Sequence, residues 1–229
     1  MIPRELLATA RIPGGAEMKL YRRGSDHMIL VDRDELMSTR MSGSEEALAQ
    51  RTAQRLGSRP GQHWLIGGYG MGFTLRAALH VLAADAQVTI AELLPEIVEW
   101  ARGPMTALTG TSLDDPRVTL CIADVAEVIA QRPAAFDAIL LDVDNGPDAL
   151  VRPENDRLYS PAGLHAARTA LKPGGLLAIW SAAPDPGFTG MLARTGFRVQ
   201  EEMVRARSNG KGPRHHIWFA APLAKPAGD

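Results

Sequence analysis

The sequence predicts an α/β fold: a mostly parallel sheet with an antiparallel C-terminal edge, preceded by a small N-terminal β-hairpin. Three observations predict it. Beyond Gly61, short strand patterns alternate with helical ones in the order βαβα. The stretches Ala138-Ile139-Leu140-Leu141 and Leu176-Leu177-Ala178-Ile179-Trp180 are apolar throughout, as when helices cover both faces of a parallel sheet. The last two strand patterns, 198–205 and 215–220, have no helix between them, which predicts an antiparallel pair.

Taken in order, 17–21 and 28–32 flank the turn-like stretch Arg22-Arg23-Gly24-Ser25-Asp26 and predict the hairpin. Such a hairpin is too short to bury a core alone, so it should pack on the main body. Ser42-Gly43-Ser44-Glu45 reads as a capping box opening a helix to about Leu56, which Gly57, Pro60 and Gly61 stop. Strands are predicted at 63–66, 87–92, 118–122, 136–142 and 176–181. Helices are predicted at 73–82, 95–102, 125–131 and 161–171, with one more at 188–194. The expected division is an appendage over 1–42 and a Rossmann-like nucleoside-binding domain over 43–229.

Composition narrows the function. Hydrophobic residues are 45%, charged residues 22%, and the net charge is -1, so neither a nucleic-acid nor a membrane surface is expected. No apolar run approaches the roughly 20 residues of a membrane span, and residues 1–5 carry no signal core, so a cytoplasmic location is expected. Cys121 is the single cysteine and sits in an apolar run, which excludes an intrachain disulfide and suits a small buried hydrophobe.

The chemistry gathers at strand ends. Leu65-Ile66-Gly67-Gly68-Tyr69-Gly70-Met71-Gly72-Phe73 runs from a strand through a glycine loop into a helix. Gly68, Tyr69, Gly70 and Gly72 thus form a backbone cradle at a helix start. Glu92, with Leu93, ends the next strand about twenty residues on, where a carboxylate can accept from both ribose hydroxyls. These features fit a nicotinamide cofactor and S-adenosylmethionine equally. Asp124 and Val125 after the third strand, residues 136–142 at the fourth, and Lys172-Pro173-Gly174-Gly175 before the fifth look like the class I methyltransferase series. A metal is not expected, because Asp142, Asp144 and Asn145 share one loop, and His215 and His216 should point to opposite faces.

From about Asp34 to Ser181 the chain resembles the spermidine synthase-like branch of the class I S-adenosylmethionine-dependent methyltransferase superfamily. Asp115-Pro116-Arg117-Val118, Leu158-Tyr159-Ser160 and the N-terminal hairpin carry the branch-level part of that resemblance. It implies a transferase using S-adenosylmethionine or decarboxylated S-adenosylmethionine, with Asp124 beside the adenine, a small-molecule acceptor, and a homodimer as in many of its members. The departures matter as well. The glycine loop lacks the acid that would hold an aminopropyl amine, and Asn145 stands where the branch has its catalytic aspartate. Ser44-Glu45-Glu46 replaces a Tyr-His-Glu stretch. A neutral amide cannot take a proton from an ammonium nucleophile. The expectation is therefore methyl transfer from S-adenosylmethionine, with Asp144, Asn145 and Asp142 as the catalytic set. Aminopropyl transfer is the first alternative, and nucleoside binding without catalysis the second.

Overall fold

The computed structural model describes residues 3–12, 15–143 and 156–224. The expected hairpin is a larger, four-stranded antiparallel meander. Its strands β1 (Glu5–Arg11), β2 (Glu17–Arg23), β3 (Asp26–Val31) and β4 (Asp34–Ser38) pair in chain order. One face of this sheet is apolar, with Met18, Leu20 and Ile29 fully buried in the same core as Trp64, Ile66 and Leu140. That burial ties the meander to the second sheet.

Then follow α1 (Gly43–Leu56), β5 (His63–Gly67), α2 (Phe73–Val81), β6 (Gln87–Glu92), α3 (Pro95–Arg102) and α4 (Thr106–Thr109). The chain continues through β7 (Val118–Ile122), α5 (Val125–Ala130), β8 (Phe136–Leu141), α6 (Asp156–Tyr159) and α7 (Pro161–Ala170). It closes with β9 (Leu171–Ser181), α8 (Pro186–Arg194), β10 (Phe197–Arg205) and β11 (Arg214–Pro222). The seven-stranded sheet has the order β10-β11-β9-β8-β5-β6-β7. β5 to β9 are parallel, while β11 lies antiparallel to both β9 and β10, as the closing strand pair predicts.

Side-chain alternation sorts the core into two layers. Trp64, Ile66, Ala138, Leu140, Ala178 and Phe219 face α1, α2 and the meander. Leu65, Ile139, Leu141, Leu177, Ile179 and Trp218 face α5, α7 and α8. The α7 stop comes earlier than predicted: β9 already begins at Leu171 and takes in the Lys172-Pro173-Gly174-Gly175 turn. Asp137 fixes that turn by accepting from Lys172 Nζ at 2.6 Å and from the His63 N–H at 2.8 Å.

Two of the branch-level motifs have local structural duties. Ser160 caps α7, its hydroxyl accepting from the Gly163 N–H. Asp115 and Arg117 form a two-pronged pair, and Arg117 Nη1 also donates to the carbonyls of Leu82 and Ala83. The guanidinium holds the Asp115 carboxyl down at about 2. Arg117 thereby fastens the entry of β7 to the turn before β6. Arg117→Ala is expected to lower the unfolding free energy by about 1.5–3 kcal/mol in urea denaturation. Lys should not restore it, lacking the planar fork.

Ser42 precedes α1 but makes no side-chain cap, so the capping-box reading is corrected. The helix start is instead clamped from outside, with the Gly43 N–H donating to the Ala206 carbonyl at 2.8 Å. A Cβ on Gly43 would lie 2.5 Å from the Arg207 backbone, so only glycine permits this approach. Released from capping, Glu45 is free for another task. Among the described residues no helix is long and apolar enough to cross a membrane.

Candidate functional site

β5 delivers the glycine loop to the carboxyl end of the parallel sheet, where ligands of such sheets bind. Gly68, Gly70 and Gly72 all take left-handed φ values, of 81°, 53° and 70°. At Gly68 the requirement is double, because a Cβ would also sit 2.6 Å from the Asp142 carbonyl oxygen.

Glu92, at the end of β6, locks this loop. Its two oxygens accept from the N–H groups of Tyr69, at 2.8 Å, and Leu94, at 2.9 Å. It is 7% exposed, and burial pushes its carboxyl up while the backbone donors pull it back. A carboxylate is acceptor-only, the chemistry that ribose hydroxyls require of a partner. Glu92 lines a pocket of about 260 Å³ together with Gly68, Gly70, Leu93, Asp124 and Val125. The donor and acceptor set therefore fits a nucleoside.

Asp124 sits on that wall with both oxygens engaged. One accepts the Ala126 N–H at 2.7 Å and caps α5, and the other pairs with Arg157. Tyr69 contributes its backbone only. Its ring is buried away from the pocket, with the hydroxyl 3.3 Å from Ser112 Oγ. Gly72 is likewise off the wall, serving as the residue before α2. Tyr159 packs edge-on against Phe188, at 5.7 Å between centroids. Asp144 and Asn145 lie outside the described residues.

Asp142 closes the pocket floor and accepts from Thr74 Oγ1 at 2.5 Å. Opposite it stands Glu45, 8% exposed, reaching in from the first turn of α1. Burial pushes Glu45 up to about 8, with the Asp142 charge adding to the effect. Burial also pushes Asp142 up, to about 6, against the Thr74 hydrogen bond. The two titrate as a pair. Glu45 Oε2 accepts from Ser44 Oγ at 2.6 Å, and Ser44 Oγ lies 2.8 Å from His215 Nδ1 on β11. The His215 ring meets Trp180 edge-on at 4.8 Å.

The end of β9 puts Trp180 near the pocket, but local sequence patterns do not bring Glu45, Ser44, Thr74 and His215 to it. Their only signal there is an acid within the replaced Ser44-Glu45-Glu46 stretch. The meander supplies the opposite wall, including Met18, Ile29, Val31, Leu36 and Met37. Two buried polar atoms of wall residues, Ser38 Oγ and Trp180 Nε1, have no partner among the described residues.

No family model matches the chain. It is 31% identical over 171 residues to the polyamine aminopropyltransferase of Mycobacterium tuberculosis, covering 73% of this chain and 31% of that protein. It is 31% identical over 129 residues to polyamine aminopropyltransferase 1 of Streptomyces coelicolor, covering 56% and 23%. With polyamine aminopropyltransferase 2 of Pseudomonas aeruginosa it shares 30% over 119 residues, covering 50% and 32%. The chain thus spans about a third or less of these curated relatives.

Among solved structures, a spermidine synthase in complex with the transition-state analogue AdoDATO superposes with a TM-score of 0.72 at 19% identity. The Thermotoga maritima spermidine synthase gives 0.73 at 18%, and both matches cover 97% of this chain and 74% of the other. These matches bear out the fold and the resemblance to the spermidine synthase-like branch. They also correct the expected reaction: the relatives point to aminopropyl transfer, not methyl transfer. The physical reason is that an acid reaches the pocket from outside the strand-end loops. The glycine loop has none, whereas Glu45 enters the same pocket from α1.

Proposed function

We propose that this chain is an aminopropyltransferase acting on a small amine with decarboxylated S-adenosylmethionine as donor. The observation that carries the reading is the set of polyamine aminopropyltransferase relatives. The site supports it by pairing a nucleoside-binding end at Glu92 with an acidic end at Glu45 and Asp142. Bound there, the donor would supply a propyl carbon already activated by its sulfonium.

The remaining work falls to the chain's own residues. Glu92 accepts the ribose hydroxyls, and Gly68 and Gly70 let the nucleoside approach the backbone. Glu45 and Asp142 attract ammonium groups and orient them by charge-assisted hydrogen bonds. The apolar residues of the meander exclude water, which strengthens those contacts. In this reading residues 1–42 form the cover of a nucleoside domain that begins at 43, and Asp124 and Val125 flank the adenine.

The test supplies decarboxylated S-adenosylmethionine with a panel of diamines and follows release of methylthioadenosine. Amine-dependent release is expected. Release no faster than the donor's own breakdown, across the whole panel, would overturn the reading.

A further inference from the structure

An attacking amine is an ammonium at neutral pH and must lose a proton before its nitrogen has a lone pair to use. Where the resemblance implies an aspartate for this task the chain has Asn145, whose amide cannot take the proton. Among the described residues, Glu45 and Asp142 bring carboxylates to the acidic end of the pocket, and their settings differ. Asp142 stands on the floor against Gly68, where burial pushes its carboxyl up to about 6 against the pull of the short Thr74 hydrogen bond. Glu45 is buried beside Ser44 and near the Asp142 charge, in a setting that favours its protonated form.

We propose that Glu45 takes the proton from the attacking amine, with Ser44 and His215 as positioning residues that satisfy it in both protonation states. The proposal rests on the aminopropyl-transfer reading. As a carboxylate, Glu45 accepts the Ser44 O–H, and Ser44 accepts in turn from His215 Nδ1–H. As a carboxylic acid it donates to Ser44, whose O–H then turns to the Nδ1 lone pair of the other His215 tautomer. Burial keeps His215 below its ordinary value and hence neutral, so it can serve in either tautomer. Beyond the chain of hydrogen bonds, the buried Nε1 of Trp180, whose ring meets that of His215, has no partner among the described residues.

The step balances. The amine N–H bond breaks and its proton goes to Glu45. The freed lone pair forms a bond to the propyl carbon. That carbon's bond to sulfur breaks, and the electron pair leaves on sulfur as a neutral thioether. The titratable groups facing Glu45 are Asp142 from the end of β8, His215 from β11 through Ser44, and Glu46 beside it. Arg51 and Arg55 engage Glu202 further along the helix.

The test reads protons and needs no turnover. Binding of 1,4-diaminobutane to the chain with methylthioadenosine is measured by calorimetry from pH 6 to 9.5, in buffers of different ionisation enthalpy. An ammonium meeting protonated Glu45 must expel about one proton, whichever partner keeps the shared one. The expected release is near one proton around pH 7 and fades above the pair's upper titration. Glu45→Gln is expected to bind at least tenfold more weakly and to release none. Ser44→Ala removes the donor that favours the carboxylate, so the midpoint should move alkaline by roughly half to one pH unit. Undiminished release in Glu45→Gln, an unmoved midpoint in Ser44→Ala, or no diamine binding by the unmodified chain would each overturn the proposal. Proton release without any methylthioadenosine formation in the donor assay would sink the transferase reading and leave Glu45 as an amine-binding acid.

Discussion

Glu92→Gln is expected to weaken methylthioadenosine binding by about 1.5–3 kcal/mol, roughly 10- to 150-fold, although the two side chains have the same shape. Both oxygens of Glu92 receive a backbone N–H, from Tyr69 and Leu94. Glutamine must turn its NH₂ toward one of those donors, leaving two donors face to face in a buried site. The substitution thus loosens the glycine loop and, on the proposed reading, removes a ribose acceptor at once. Calorimetry should report the affinity loss, and urea denaturation a stability loss of about 1–3 kcal/mol. A variant with both quantities unchanged would remove Glu92 from the site.

The second large effect is the dependence of stability on pH. Glu45 is pushed from its ordinary value up to about 8, so the folded chain holds this proton more tightly than the unfolded chain does. The stability it contributes is complete below the ordinary carboxyl value of about 4.5 and is lost as pH rises through about 8. Asp142, raised to about 6, acts in the same sense over a lower window. Raising a carboxyl's titration by one pH unit on folding is worth about 1.4 kcal/mol. A net effect of roughly 2 kcal/mol or more should therefore lower Tm by about 4–8 °C between pH 5 and 9. In Glu45→Gln the amide carries no titration, so the slope should flatten and the variant should overtake the parent above pH 8. Equal slopes in the two proteins would show that Glu45 is charged throughout.

Short-range patterns carried most of the fold. The apolar runs of β8 and β9, the glycine loop and the spacing to Glu92 are local signals: the two runs are interior strands of the sheet, and the glycine loop and Glu92 lie at its carboxyl end. What local patterns could not show was long-range. β1 mixes Glu5, Leu6, Leu7 and Thr9 without clean alternation, and its pairing with β2 shifts register between Leu6 and Ala8. Glu45 read as half of a capping box, since Ser-x-x-Glu has the same spacing whether or not the serine caps. Only packing against His215, 171 residues away from Ser44, turns it toward the pocket. Asp124 shows the converse. Its position suits an adenine contact, but a residue of that type before a helix is also a cap, and here it caps α5.

The placement of β11 between β9 and β10 bears on the order in which the chain can become competent during synthesis. The glycine loop, Glu92 and the floor at Asp142 all precede residue 143, so the nucleoside end can form once β8 and its helices have left the ribosome. The acidic end cannot. Ser44 meets its imidazole partner, and α1 its clamp at Ala206, only after residues 206–215 emerge and β11 pairs with β9 and β10. A nascent chain halted before that strand should hold the nucleoside while its first helix is still unanchored. On the proposed reading, a nucleoside bound at that end would stabilise the partly folded chain while the last strand pair docks on β9.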